Sequence, residues 1–100
     1  MRVLMVGGAG YVAGLVLPLL AERHAVRILD PRRRPGWADQ VMASATDDGA
    51  LRTAMRDADA VLHCAMGRYG DATPAGVASA FDVNVKSVHL TLAAAHDAGV

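Results

Sequence analysis

The sequence predicts an α/β fold, a parallel sheet doubly wound by helices on its two faces. Three observations predict it. Short buried-type runs, Val3-Leu4-Met5-Val6 and Ala60-Val61-Leu62-His63-Cys64, are bounded by turn residues, as strands covered on both faces are. The segments after them carry apolar residues at helical spacing. Strand, helix and strand succeed one another within about thirty residues, the length of a right-handed crossover unit.

Taken in order, Val3 to Val6 is the first and central strand, ended by glycines. Tyr11 to Arg23 is a helix with its apolar stripe at Val12, Leu15, Val16, Leu19 and Leu20. Pro18 lies inside it, but the carbonyl its ring opposes belongs to Gly14, which gives the backbone room to bend. Val26 to Asp30 is the second strand, closed by Pro31 and an arginine-rich turn through Gly36. Val41-Met42-Ala43 is a short third strand, and Asp47 or Asp48 caps a helix running to about Arg56. The run 60–64 is entered through the turn-like Arg56-Asp57-Ala58-Asp59 and leads into a loop from Gly67 to Gly70. Thr73 as N-cap and Pro74 at the first helical position open the longest helix. Val77, Phe81, Val85, Val88, Leu92 and Ala95 form its apolar stripe, and Gly99 is its C-terminal stop. No repeat or linker divides the chain, so residues 1–100 are expected to be one domain.

Composition narrows the partners. Hydrophobic residues make up 53% of the sequence, enough for a packed interior, and the formal net charge is zero. No broad basic field exists to attract nucleic acid or a membrane surface, so a small molecule is the expected partner. The single cysteine, Cys64, cannot form an internal disulfide, and the N-terminal apolar run is too short for a signal peptide. A cytoplasmic setting is the expectation.

The chemistry concentrates in Gly7-Gly8-Ala9-Gly10. Gly8, Gly10 and Ala13 match G-x-G-x-x-G/A, and Gly7, Gly10 and Ala13 match a variant with wider first spacing. A diphosphate needs close backbone approach and gains from a helix N-terminus aimed at it, and glycine permits both. Asp30 stands twenty residues after Gly10, at the end of the next strand, where a carboxylate can accept hydrogen bonds from ribose hydroxyls. The expected ligand is a nicotinamide dinucleotide. Asp30 favours NAD by repelling an additional 2′-phosphate, whereas Arg32, Arg33 and Arg34 are able to pair with one, so NADP stays open.

These residues resemble the extended short-chain dehydrogenase/reductase superfamily of the NAD-dependent epimerase/dehydratase type, in its N-terminal cofactor-binding part. The resemblance spans the whole chain and rests on Gly7 to Gly14, on Asp30, on Ala58 to Ala65 and on Asp82 to Ser87. The last two blocks are similar to the family's D-x-V-x-H-x-A and N-V-x-G-T segments. The resemblance implies a Rossmann-like sheet, truncated after the fourth helix/strand region. It further implies the NAD(P)-binding portion of an oxidoreductase or nucleotide-sugar epimerase/dehydratase, with a small-molecule substrate and a homo-oligomeric assembly. Carried over by position, the cofactor-binding set is Gly7, Gly8, Gly10, Tyr11, Val12, Asp30, Arg32, Cys64, Ala65, Met66 and Asn84. Cys64, Ala65 and Met66 would line the ribose region, and Asn84 would support the active site from the long helix.

Departures from the family pattern matter too. Ala13 replaces the third glycine, Ser44 stands where an acid often reads adenine, and Ser87 stands where glycine is usual. The family's Tyr-x-x-x-Lys pair is absent: Lys86 is the single lysine and Asp82 precedes it by four, while Tyr11 and Tyr69 are followed by Leu15 and Thr73. No catalytic residue is therefore assigned. Catalysis is expected to need sequence beyond Val100, as for a truncated product or fragment. A non-catalytic cofactor-sensing module is the alternative reading. The unpaired edge of the last strand is expected to make the isolated chain associate.

Other candidates are weighed against ordinary structural roles. Cys64 is expected to line the core or cofactor, His63 to be packed or hydrogen-bonded, and His24 to sit at a helix C-terminus. His89 and His96 share a helix face but lack ligand spacing, so no metal is expected. Trp37 and Tyr69 fall in loops, open to ligand contact or to surface packing.

Overall fold

The computed structural model of the chain describes residues 1–67 and 70–100. The expectations placed on Tyr69 lie outside the described residues. The chain runs β1 (Arg2–Val6), α1 (Tyr11–Ala21), β2 (Ala25–Leu29), β3 (Gln40–Val41), α2 (Asp48–Met55), β4 (Ala60–His63), α3 (Pro74–Phe81), a π-helical turn (Asp82–Lys86) and α4 (Ser87–Ala98). The four strands form one sheet in the order β3-β2-β1-β4, every pairing parallel. This is the Rossmann-like α/β fold expected.

Strand β1 is central because its residues Val3 to Val6 are buried on both faces. Alternation along the strands divides the interior in two. Leu4, Val6 and Leu29 face Leu51, Ala54, Met55, Ala94 and Ala95 of α2 and α4, while Met5, Val26 and Ile28 face Ala13 and Leu17 of α1. Asp59 fixes the entry of β4, accepting from the Arg2 backbone N–H at 2.7 Å and donating its own N–H to Arg2 O at 2.7 Å.

Helix ends follow local chemistry. Asp47 caps α2 by accepting from Ala50 N at 3.0 Å, and Thr73 caps α3 by accepting from Gly76 N at 3.1 Å. At the other end of α2, Arg27 Nη1 donates to the carbonyls of Ala54 (3.3 Å) and Arg56 (3.5 Å). Gly99 closes α4 in the left-handed region at φ 75°.

Three expectations are corrected. The third strand is Gln40–Val41 and not 41–43, because β2 reaches only that far along it: Ile28 pairs with Gln40 and Leu29 with Val41. The long helix is not uniform, since Asp82–Lys86 forms a π-helical turn. The apolar stripes mostly face away from the sheet, only Leu20 and Ala95 of them packing on the core. Val12, Leu15, Val16 and Leu19 of α1 are exposed, Leu19 to 68%, as are Val77, Phe81, Val85, Val88 and Leu92. The faces turned inward carry smaller groups, Ala13 beside Leu17 in α1 and Ser87, Thr91, Ala94 and Ala95 in α4. Small side chains let a helix axis approach its neighbours closely, so packing distance and not the widest apolar stripe sets the rotation.

After β3 the chain returns across the sheet to place β4 beside β1. The two crossovers diverge at the C-terminal ends of β1 and β4, and open parallel sheets bind ligands at such a divergence.

Candidate functional site

The turn after β1 reaches that divergence. Gly7 adopts φ +84° and donates its N–H to Leu29 O at 2.7 Å. A Cβ on it would lie 2.5 Å from Ala65 N, so only glycine lets this turn touch the backbone leaving β4. A Cβ on Gly8 would lie 2.3 Å from Ile28 Cβ. Gly10 N donates to Gly7 O at 3.1 Å, closing the turn as α1 begins.

Helix α1 has no side-chain cap, unlike α2 and α3. The N–H groups of Tyr11, Val12 and Ala13 find no acceptor among the described residues. They carry the positive end of the helix dipole, about half an elementary charge. Tyr11 and Val12 themselves are exposed.

Asp30 follows β2 and is only 3% exposed. One carboxylate oxygen accepts from Ala9 N at 3.1 Å, and the other from Arg32 N at 2.8 Å and Arg32 Nε at 3.3 Å. The acid is thus bonded to the glycine turn itself. The loop after it folds around Gln40, whose amide nitrogen donates to Asp30 O (3.3 Å) and Arg32 O (2.7 Å) and whose oxygen accepts from Arg34 N (3.0 Å). Arg34 Nη1 donates to Gly8 O at 3.3 Å and lies 3.6 Å from where a Gly14 Cβ would stand. Sequence reasoning missed Gln40 and the contact of Arg34 with the turn. A lone glutamine beginning a two-residue strand carries no pattern that would have exposed it.

The third wall is the chain leaving β4. Cys64 N donates to Val6 O at 2.7 Å, and the half-buried Cys64 side chain packs against the α1 core. Burial pushes its thiol pKa up, away from a reactive thiolate. Ala65 abuts Gly7, Met66 is exposed, and Gly67 N donates to Asn84 Oδ1 at 2.9 Å. His63 Nε2 lies 2.8 Å from Ser87 Oγ, which also donates to Val83 O. Burial lowers the His63 pKa, against a smaller opposing effect of a backbone hydrogen bond.

The structure therefore brings Gly7, Gly8, Gly10, Asp30, Arg32, Cys64 and Ala65 around one turn and links Asn84 to it through Gly67. Ser44 is exposed and engaged with Thr46. Trp37 is a packing residue, donating its indole N–H to Val26 O at 3.2 Å beside the α1 core. His24 Nδ1 lies 3.2 Å from the N-terminal amine. Among the described residues no three His, Cys, Asp or Glu side chains gather as a metal site would require, and no helix is long and apolar enough to cross a membrane.

Solved structures share this fold. A short-chain dehydrogenase/reductase superfamily protein from Agrobacterium tumefaciens with bound NAD is 34% identical with a TM-score of 0.86, matching 100% of this chain and 30% of its own. A dTDP-glucose 4,6-dehydratase double mutant from Streptomyces venezuelae, with NAD bound, is 28% identical with a TM-score of 0.82, over 100% of this chain and 37% of that one. UDP-glucose 4-epimerase from Thermus thermophilus in complex with NAD is 26% identical with a TM-score of 0.84, over 100% and 35%. The chain thus spans little more than a third of the length of these proteins at most. No curated protein matches it. The model of the NAD dependent epimerase/dehydratase family matches residues 3–100, and the chain belongs to that family.

Proposed function

We propose that residues 1–100 bind a nicotinamide dinucleotide as the cofactor portion of an oxidoreductase or nucleotide-sugar epimerase/dehydratase. The observation that carries this reading is the uncapped N-terminus of α1 closed against a buried carboxylate: the Tyr11 to Ala13 N–H groups are free among the described residues while Ala9 N donates to Asp30. A diphosphate fits the first group, because Gly7 and Gly8 tolerate no Cβ and leave the peptide edge bare. A ribose fits the second, its hydroxyls donating to Asp30, with Tyr11, Val12 and Arg32 at the rim. Cys64, Ala65 and Met66 form the opposite wall, and Asn84 holds that wall through Gly67.

When bound, the cofactor would supply a site for reversible hydride transfer. The chain's own residues hold its phosphates and ribose and exclude water from the Gly7–Ala65 floor. The 100 residues contain no Tyr-x-x-x-Lys, so the reading gives them no proton-transfer step. A nucleotide-sugar substrate is proposed from the UDP-glucose epimerase and dTDP-glucose dehydratase likenesses. Self-association is proposed from the open edge of β4 and the outward stripe from Val77 to Leu92. Titration calorimetry tests the binding. NAD is expected to bind more tightly than NADP, and Asp30→Ala to weaken NAD at least about tenfold, since charge-assisted hydrogen bonds contribute about 1.5–3 kcal/mol. No heat of binding with either dinucleotide overturns the reading, and tighter NADP binding transfers the rim arginines to phosphate recognition.

A further inference from the structure

The π-helical turn Asp82–Lys86 is tied to the sheet at two points that no cofactor contact accounts for. Asn84 Oδ1 accepts from Gly67 N at 2.9 Å, above the C-terminal end of β4. Ser87, which is fully buried, closes the turn by donating to Val83 O and meets His63 Nε2 at 2.8 Å. Ser87 Oγ thus joins the Val83 carbonyl of the π-turn to the imidazole at the end of β4. His63 is the last residue of β4 and pairs in register with Val6, one residue before the glycine turn.

Between these two ties lies the segment 64–67. Its front end is pressed on the glycine turn, where Gly7 has no room for a Cβ against Ala65 N. Its back end is pressed on α3, where a Cβ on Gly67 would lie 2.9 Å from Ala80 Cα. The segment is therefore a strap between the glycine turn and the π-turn, and its position depends on where the π-turn stands. A π-turn inserts an extra residue into a helix and persists only where its surroundings compensate, which often occurs beside functional sites.

We propose that the His63–Ser87 hydrogen bond is the latch that holds this π-turn in register, making His63 and Ser87 positioning residues for the cofactor crevice. Neither touches the proposed ligand. They act through Asn84 and Gly67, which set the strap against the phosphate-binding turn. The proposal rests on the dinucleotide reading for its effect on affinity, but its structural half stands apart from that reading.

Amide exchange followed by NMR and NAD titration of the full chain test it together. In Ser87→Ala the Gly67 N–H is expected to exchange at least about fivefold faster, because the buried imidazole loses its partner and the π-turn its latch. The Gly7 N–H, bonded to Leu29 O within the sheet, should keep its wild-type rate, which separates a freed strap from general loosening. NAD affinity should fall about fivefold to thirtyfold. His63→Gln, whose amide offers an N–H at similar reach, should stay within about threefold of wild type in both measurements, and His63→Leu should behave like Ser87→Ala. Gly67 exchange unchanged in Ser87→Ala, or Gly7 and Gly67 accelerated equally, overturns the proposal. Faster Gly67 exchange with unaltered NAD affinity overturns its link to the crevice. Should Ser87→Ala fail to fold, equal behaviour of His63→Gln and His63→Leu overturns it. A wild-type chain that ignores NAD sinks the dinucleotide reading alone, and the exchange rates still decide the latch.

Discussion

Replacing Gly7 by alanine probes the floor of the crevice, and Gly36 offers a matched control. Both glycines have left-handed backbones, φ +84° and +76°, so an alanine at either place incurs the same conformational cost of about 1–2 kcal/mol. Only Gly7 adds a collision, its new Cβ falling 2.5, 2.6 and 2.8 Å from backbone atoms of Ala65 and Cys64, whereas nothing lies within 4 Å at Gly36. Backbone cannot rotate away as a side-chain tip can, and overpacking of this kind costs about 1–3 kcal/mol. Gly7→Ala is thus expected to lose about 2–5 kcal/mol and Gly36→Ala about 1–2 kcal/mol. Urea unfolding followed by circular dichroism measures both, and each kcal/mol lowers the Tm of a domain this size by about 4–8 °C. A Gly7→Ala chain already unfolded beside a folded Gly36→Ala meets the expectation. Equal losses at the two positions refute the close approach and leave the left-handed backbone as the reason for glycine at 7.

Two further outcomes follow from the remaining geometry. Burial lowers the folded-state pKa of His63, so below its ordinary value of 6.5 the unfolded chain takes up a proton that the folded chain refuses. Stability should decline from there down to the folded-state pKa, and His63→Gln should flatten that part of a pH series of denaturation midpoints while leaving the slope above it unchanged. Asp47→Ala should cost about 1 kcal/mol by leaving Ala50 N without its cap, measured by the same unfolding assay, with NAD affinity unaltered because α2 lies away from the glycine turn.

Much of this architecture was legible because its determinants are local. The turn Gly7 to Gly10, the cap Thr73 and the stop at Gly99 each depend on a few consecutive residues and stand where the sequence puts them, and of the two candidate caps Asp47 and Asp48 the helix uses the first. Asp30 is singled out by spacing alone, although its bond to Ala9 N could not be read from the sequence. The orientation of α1 and α4 was not legible. Apolar spacing marks a stripe, but Leu15, Leu19 and Leu92 point outward while Ala13, Leu17, Ser87, Thr91 and Ala94 face in, a choice made by distances between elements. The π-turn was hidden for a similar reason: the periodicity of Val77 to Leu92 reads through it, and what holds it, Ser87 against His63, joins residues 24 apart. In the sequence Ser87 stands out only as a departure from the family's glycine.

The loop wrapped on Gln40 separates two things that evolution could otherwise change only together. Its backbone is tethered at Asp30 O, Arg32 O and Arg34 N by one amide, so the side chains at its tip are displayed from a frame that does not need them. Arg33 and Pro35, both exposed, can be exchanged without moving the buried acid. Under the proposed dinucleotide reading, the tip can therefore be varied to test selectivity for the charge on the sugar without disturbing the carboxylate beneath it.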